Sequence, residues 1–315
     1  MNAISTTILL LSVDEAPMLE RSLPAALGQT PAAEVVVVDN ACTDATAQLA
    51  ERHGVRRLAI EPRRSYAAAI NLAIERTGGE AVLLLNADCF LRPGFLAAAL
   101  PRLAEEGVGS VAPKLVRADP DRPSIDAAGM FIDRRRKNGL VGHAEPAQRY
   151  ERAALAFGAD GAAALYRRET LTDCALNGRE VLDEDMELWA SDADLAWRAQ
   201  LRGWRCLYEP AALAEHVRTY SPSTRARMSE PDRRLQFRNR YLMMVKNETA
   251  AGLARDGAWI VAYEVLALGH VLLRERHLMG GYRDAWRLRR AARCRRRLVQ
   301  TARRSSPPFG LRPPE

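Results

Sequence analysis

Apolar runs of strand length alternate with helical periodicity through the first hundred residues. "TTILLLSV" (6–13) reads as a buried strand, 17–28 as a helix, "EVVVVDN" (34–40) as a second strand, and 44–52 as a helix capped by Thr43 and stopped by Gly54. The alternation continues with "VRRLAI" as a short strand, "SYAAAINLAIER" as a helix ending before Gly78 and Gly79, "EAVLLLNAD" as a strand buried on both faces, and 95–105 as another helix. Strands separated by single helices predict βαβ crossovers and a mostly parallel sheet with helices on both faces. Periodicity weakens over 117–150, where "RADPDRPSID" and "DRRRKNG" predict surface loops or a hairpin, and beyond about 232 the pattern is helical.

Ligands of such sheets bind beyond the carboxyl ends of the strands, which nominates the strand-terminal residues Asp39, Asn40, Asn86 and Asp88. Asp39 either meets a ligand or shapes the turn after its strand. Asn86 and Asp88 stand two apart, so in an extended chain both face one side; one carboxylate plus a substrate diphosphate suffices for Mg²⁺ or Mn²⁺, and the alternative is an Asx turn. The densest carboxylate cluster is "LDEDMELWASDADLAWRAQLRGWRCLYEP". Ser191 and Asp194 there have the spacing of a capping box on a helix running to about Arg202 and closed by Gly203. Asp192 then points about 200° from Asp194 and is free to act as a general base. His216 follows a strand-like segment, and its imidazole suits Mn²⁺ if Asp88 holds a metal.

The 315 residues, 48% apolar and 27% charged, have globular proportions and length for a substantial core. Five dispersed cysteines without a CxxC pair argue against a disulfide framework or a zinc site and favour a reducing cytosol. The start of the chain reads as a strand rather than a signal peptide, and no segment reaches about 18 uninterrupted apolar residues. The net charge of +7 is unevenly spread: residues 274–304 hold twelve arginines against Glu275 and Asp284, leaving the rest of the chain at −3. Such a tail attracts polyanions. With the apolar stretch Trp259–Leu273 it could lie on an anionic membrane, or pack as an ordinary helical hairpin.

Four segments, in order within a coverage of about residues 6–222, resemble the large inverting glycosyltransferase family numbered two, especially its rhamnosyltransferase-like branch. "VVVVDNACTDAT" is similar to that family's VDN-x-S-x-D-x-T; "RSYAAAINLAIERTGGEAVLLLNAD" to its GF-x-x-x-x-N-x-G-I stretch leading to LLN-x-D; "FGADGAAALYRRETL" to its G-A-x-x-x-x-R-R segment. "LDEDMELWASDADLAWRAQLRGWRCLYEPAALAEH" resembles its run from FDE through ED-x-DL to a final histidine. Asn86 replaces the first acid of D-x-D, Ser191 the glutamate before Asp192, and Ser65-Tyr66 the usual Gly-Phe.

The resemblance implies a GT-A, Rossmann-like catalytic domain over 1–230, with a nucleotide-binding half (1–116) and an acceptor half (117–230). A helical, Arg-rich extension (231–304) and a disordered tail (305–315) would follow. It implies transfer of a sugar, dTDP-rhamnose or a UDP- or GDP-sugar being the donor, to a saccharide or lipid-linked acceptor of a cell-surface polysaccharide or glycolipid. Asp39, Asn40, Asn71 and Asn86 would bind nucleotide, Asp88 and His216 a Mg²⁺ or Mn²⁺ ion, and Asp160, Gly161, Trp197 and Arg198 the substrates, with Asp192 as catalytic base. The site would be cytoplasmic, peripheral at the inner face of the membrane. A sugar nucleotidyltransferase would need a Gly-rich phosphate loop after the first strand, which "LLLSVDEAPMLERSL" lacks. A nucleic-acid-binding module would use the arginines but leave Asp39, Asp88 and Asp192 without purpose, and no nucleic acid is expected as partner.

Overall fold

The computed structural model describes residues 4–117, 124–220 and 224–311. Its first half is laid down by the apolar runs: β1 (Thr6–Ser12), α1 (Ala16–Leu27), β2 (Glu34–Asp39), α2 (Thr46–Arg52), β3 (Arg56–Ala59), α3 (Tyr66–Glu75) and β4 (Ala81–Asn86). β5 (Cys89–Leu91), α4 (Phe95–Leu103) and β6 (Val108–Arg117) follow. Then come the short strands β7 (Ile125–Ala127), β8 (Met130–Ile132), β9 (Asn138–Leu140) and β10 (Ala154–Ala156), and β11 (Ala163–Arg167), α5 (Arg168–Cys174), α6 (Ser191–Arg202) and β12 (Arg205–His216). The loop region foreseen over 117–150 thus carries β7 and the hairpin β8–β9; its residues 118–123 lie outside the described part.

The main sheet runs β10-β12-β6-β11-β4-β1-β2-β3, with β5 on β12 and β7 on β6. β3, β2, β1 and β4 are parallel, as the alternating pattern requires; β11 is antiparallel between β4 and β6, so the whole sheet is mixed. Alternate residues of β1 feed opposite cores. Leu9 and Leu11 pack with Ile70 of α3 and Leu195 of α6, while Ile8 and Leu10 pack with Leu19 of α1 and Phe95 of α4. Both faces are therefore covered, which is why the strands read as unbroken apolar runs.

Two expected caps are replaced. α2 begins at Thr46 with no side-chain cap, and Thr43 bonds Asp14 instead, through its backbone N–H (2.6 Å) and its hydroxyl (3.2 Å). Nor does Ser191 cap α6: it is the first helical residue, preceded by Ala190 at φ 64°, and its hydroxyl donates to the Leu188 carbonyl (2.7 Å). Gly203, at φ 89°, ends α6 as foreseen.

The C-terminal helices are α7 (Glu230–Asn247), α8 (Ala250–Leu273) and α9 (Met279–Thr301). α7 and α9 lie side by side in the same direction, joined by Arg234–Asp284 near their starts and Gln300 Nε2 to the Asn247 carbonyl (3.1 Å) near their ends. α8 connects them in sequence and is tied to α7 by Arg240–Glu264. The chain end, expected to be disordered, is tacked down as far as residue 311: Gly310 N–H donates to the Ile132 carbonyl (2.7 Å), and Phe309 meets Phe157, Trp197 and the Arg136 guanidinium. Residues 312–315 lie outside the described part.

Candidate active site

A cleft of about 1030 Å³ opens at the carboxyl ends of β1 and β4 and is closed on its far side by α7 and α8. The parallel register sets Asn86 beside Leu11, and a turn at Ala87–Asp88 then leads into β5. Although the chain is not extended there, both Asn86 and Asp88 face the cleft.

β5 pairs antiparallel with the end of β12, placing Cys89 opposite His216, and Val217 N–H donates to the Asp88 carbonyl (3.0 Å). This ladder brings His216 Nε2 to 3.4 Å from Asp88 Oδ1. The other ring nitrogen meets the fully buried Asp126 carboxylate (2.8 Å). Burial opposes a charge on this imidazole, but its bonds to Asp126 and Asp88 prevail and raise its pKa to about 9. Arg218 continues the chain, its Nε donating to Asp126 (2.7 Å) and a terminal nitrogen to Asp160 (2.9 Å).

Asp160 and Gly161 occupy the loop before β11, held against β4 by Asn86 N–H to the Ala162 carbonyl (3.0 Å). Gly161 N–H donates to Asp192 Oδ2 (3.1 Å), and a second carboxylate oxygen of Asp192 accepts from Ala193 N–H (2.7 Å). Burial, then the nearby Asp160 charge, push the Asp192 carboxyl up to about 6. Asp88, His216, Asp126, Arg218, Asp160, Gly161 and Asp192 therefore form one continuous polar chain.

Other expected site residues are drawn elsewhere. Asp39, 3% exposed, does not line the cleft; its carboxylate is taken by Arg57 (2.7 Å) and Cys42 N–H (2.8 Å), so it shapes the turn after β2. Asn40 lines the cleft but spends its amide on the Arg64 backbone, donating and accepting at 2.9 Å, which presents the loop of Arg63 and Arg64 at the rim. Asn71 does not line the cleft: it clamps Leu182 N–H and C=O, each at 2.8 Å. Trp197 is fully buried against Phe309. Arg198 is also buried, bonding Asp194 (2.9 Å) and the carbonyls of Cys174 and Val181. Neither reaches a substrate.

Asp194 does not cap α6. It joins Arg198, Lys246 Nζ (2.9 Å) and Asn247 (2.7 Å) in a buried cluster. The division of labour between Asp192 and Asp194 stands, with ion pairing in place of capping.

Glu15 and Arg218 line the cleft and Asp126 stands buried behind it, and none of the three was singled out from the sequence. Arg218 lies two residues beyond His216, a spacing that on a continuing strand shares its face, whereas Asp126 falls in the stretch of weakest periodicity. Glu15 lines the cleft, and burial together with Asp88 raises its pKa. α7 and α8 contribute Phe237, Arg240, Tyr263 and Leu266 to the opposite wall.

Asp88 and His216 offer a hard oxygen and an imidazole to a shared ion, with the imidazole oriented by a carboxylate behind it. That donor set suits a Mn²⁺ or Mg²⁺ ion that displaces the proton which the raised pKa otherwise keeps on the ring at neutral pH. The twelve arginines of the basic stretch are partly spent on structure: Arg295 binds Glu180 and Asp185, and Arg304 binds Asp173.

Comparison with known proteins matches residues 7–174, just over half of the chain, to the model of glycosyl transferase family 2. Uncharacterized glycosyltransferases of Mycobacterium tuberculosis and Mycobacterium bovis are 38% identical over 88 residues, spanning 28% of this chain and only 38% of theirs. Among solved structures, S. aureus TarS 1-349 in complex with UDP-GlcNAc superposes with a TM-score of 0.62 at 17% identity, covering 95% of this chain and 91% of that one. Mannosyltransferase PcManGT from Pyrobaculum calidifontis, in complex with GDP-Man and Mn²⁺, gives 0.54 at 19% identity, covering 95% and 88%. GalNAc-T7 with UDP, GalNAc and Mn²⁺ gives 0.60 at 14%, covering 78% and 48%. At these identities the structural likeness is one of fold, and it is the GT-A-type architecture foreseen from the sequence.

Proposed function

The chain belongs to glycosyl transferase family 2, and from that premise we propose that it moves a sugar, with inversion, from a nucleotide-diphosphate sugar to an acceptor hydroxyl. The observation that carries this reading is the polar chain joining Asp88 and His216 to Asp192 within one cleft.

Asp88 and His216 would hold a divalent ion, which when bound neutralises charge growing on the leaving diphosphate. Asp126 fixes the imidazole so that Nε2 is turned toward Asp88. Asp192 accepts the proton of the acceptor hydroxyl, and that oxygen attacks the anomeric carbon from the face opposite the leaving group. A carboxyl near pH 6 is ionised at neutral pH yet basic enough for the task. Gly161 N–H, by donating to Asp192, orients it toward the cleft.

The donor panel starts with dTDP-rhamnose, which the sequence resemblance implies, and adds the UDP- and GDP-sugars held by the solved relatives. The test is turnover of each sugar nucleotide with Mn²⁺ or Mg²⁺. One donor should be consumed by the wild type, and Asp192→Asn should retain donor binding while losing about 10²–10⁴ in rate. Equal turnover in that variant removes Asp192 from the mechanism.

A further inference from the structure

α8 is, among the described residues, the one helix long and apolar enough to cross a membrane by length and composition. Its packing is one-sided. From Ala258 to Leu273 every fully exposed residue is apolar except His270, with Val265 at 66%, Leu266 at 73% and Leu273 at 81% exposure. An open ridge of this kind is costly in water and marks an interaction surface. On a helical wheel Val261, Val265, Leu268 and Leu272 fall within about 60° of one another, and Trp259, Leu266 and Leu273 form the adjoining edge.

The surroundings identify what covers it. The ridge runs directly into exposed Arg274 and Arg276, and α9 then presents Arg283, Trp286 (63% exposed) and Arg287. An apolar face that carries exposed Trp259 and runs into exposed arginines complements the acyl boundary and phosphates of an anionic leaflet. A second copy of the chain would bring the same arginines against themselves.

The fold also decides how α8 meets the bilayer. At 24 residues it is about 36 Å long. Yet Asp256 near its start is tied to Arg134 and Arg136, Glu264 in its middle to Arg240 and Tyr241, and Glu275 just past its end to Arg225 and Arg233. All three ties reach the same body, so the two ends cannot stand on opposite sides of a membrane. We propose that α8 docks in the plane of an anionic bilayer through its outer apolar face. The same helix lines the cleft through Leu266, Ala267 and His270, so docking sets the cleft mouth at the lipid surface. There an acceptor can keep its lipid in the leaflet while its hydroxyl enters; this last step rests on the glycosyl-transfer reading, whereas docking does not.

The experiment is vesicle flotation of the full chain, which requires no turnover. The wild type should float with vesicles of phosphatidylglycerol and phosphatidylcholine, and less with phosphatidylcholine alone. Val261→Asp combined with Val265→Asp, both outside the cleft, should cut the bound fraction more than about tenfold at an unchanged melting temperature. Leu272→Asp with Leu273→Asp at the helix end repeats the reading on a second part of the ridge. The proposal is overturned if the wild type stays unbound, if both variants float like it, or if sedimentation shows the ridge closing a dimer that binds no vesicles. Donor consumption measured in solution stays intact in every one of these failures, so they leave the catalytic reading untouched.

Discussion

Asp192 carries a pH signature that follows from its surroundings. Its folded pKa is raised to about 6, so the base is protonated below that value and ionised above it. Activity should therefore rise with pH through an acid limb near 6 and level off, measured as kcat/KM for the donor that proves active. Asp160→Asn removes the nearest negative charge and releases Arg218 toward Asp192, so the limb should move to lower pH; an unmoved limb would assign it to another group. Asp126→Asn tests positioning. It leaves Asp88 and His216 in place but loosens the ring, and the Mn²⁺ concentration for half-maximal activity should rise about 10–100-fold. Asp88, Asp192 and His216, nominated from a strand end, the opening of a helix and the end of a strand-like segment, do share one cleft. Asp39 is more ambiguous. The same strand-end position also serves a turn, and whether Arg57 reaches back to neutralise it depends on a neighbouring strand that spacing alone does not reveal.

At the scale of elements, the apolar runs foretold β1, β2 and β4 and the helices between them to within a few residues, since burial on both faces leaves a strand few polar positions; β3, an edge strand with Arg56 and Arg57 exposed, was read from its place in the alternation. The environment of α6 was less accessible. Asn71, Trp197 and Arg198 have residue types suited to substrates, but each is turned into the body by partners outside its own helix: Leu182 for Asn71, Phe309 for Trp197, and the Cys174 and Val181 carbonyls for Arg198. The cluster of Asp194, Arg198, Lys246 and Asn247 joins α6 to α7. Asp194→Ala would leave buried Arg198 without a carboxylate and Lys246 with Asp183 alone, and should lower stability by about 3–5 kcal/mol in denaturant titration. Lys246 and Arg198 hold the Asp194 pKa below the usual carboxylate range despite its burial. Its contribution is therefore present above that range and lost as pH falls through the lowered value, which should steepen acid unfolding in the wild type relative to the variant.

Taken as one molecule, the chain is a sheet whose rim supplies the reacting groups and a helical extension that supplies the opposite wall of the cleft. The extension is bound through Arg295 and Lys246 on one side and through the chain end on the other, where Phe309 stacks on Phe157, meets Trp197 edge-on and lies beneath Arg136. Phe309→Ala should lower stability by about 1–3 kcal/mol, read by thermal melting, while leaving the acid limb near pH 6 in place. The basic composition of the tail was plain in the sequence, but the sharing of its arginines between internal acids and open surface depends on the path of α9 across the α/β body. The claim that unites these scales is that the cleft binds a nucleotide diphosphate through an ion held by Asp88 and His216, with Asp192 waiting beside it. Calorimetric titration of UDP, GDP and dTDP, with Mn²⁺ and with chelator, measures this most directly. At least one diphosphate should bind in the presence of Mn²⁺, lose affinity on chelation or in Asp88→Asn, and bind Asp192→Asn as it does the wild type; binding of none, or binding indifferent to both the ion and Asp88, would contradict it.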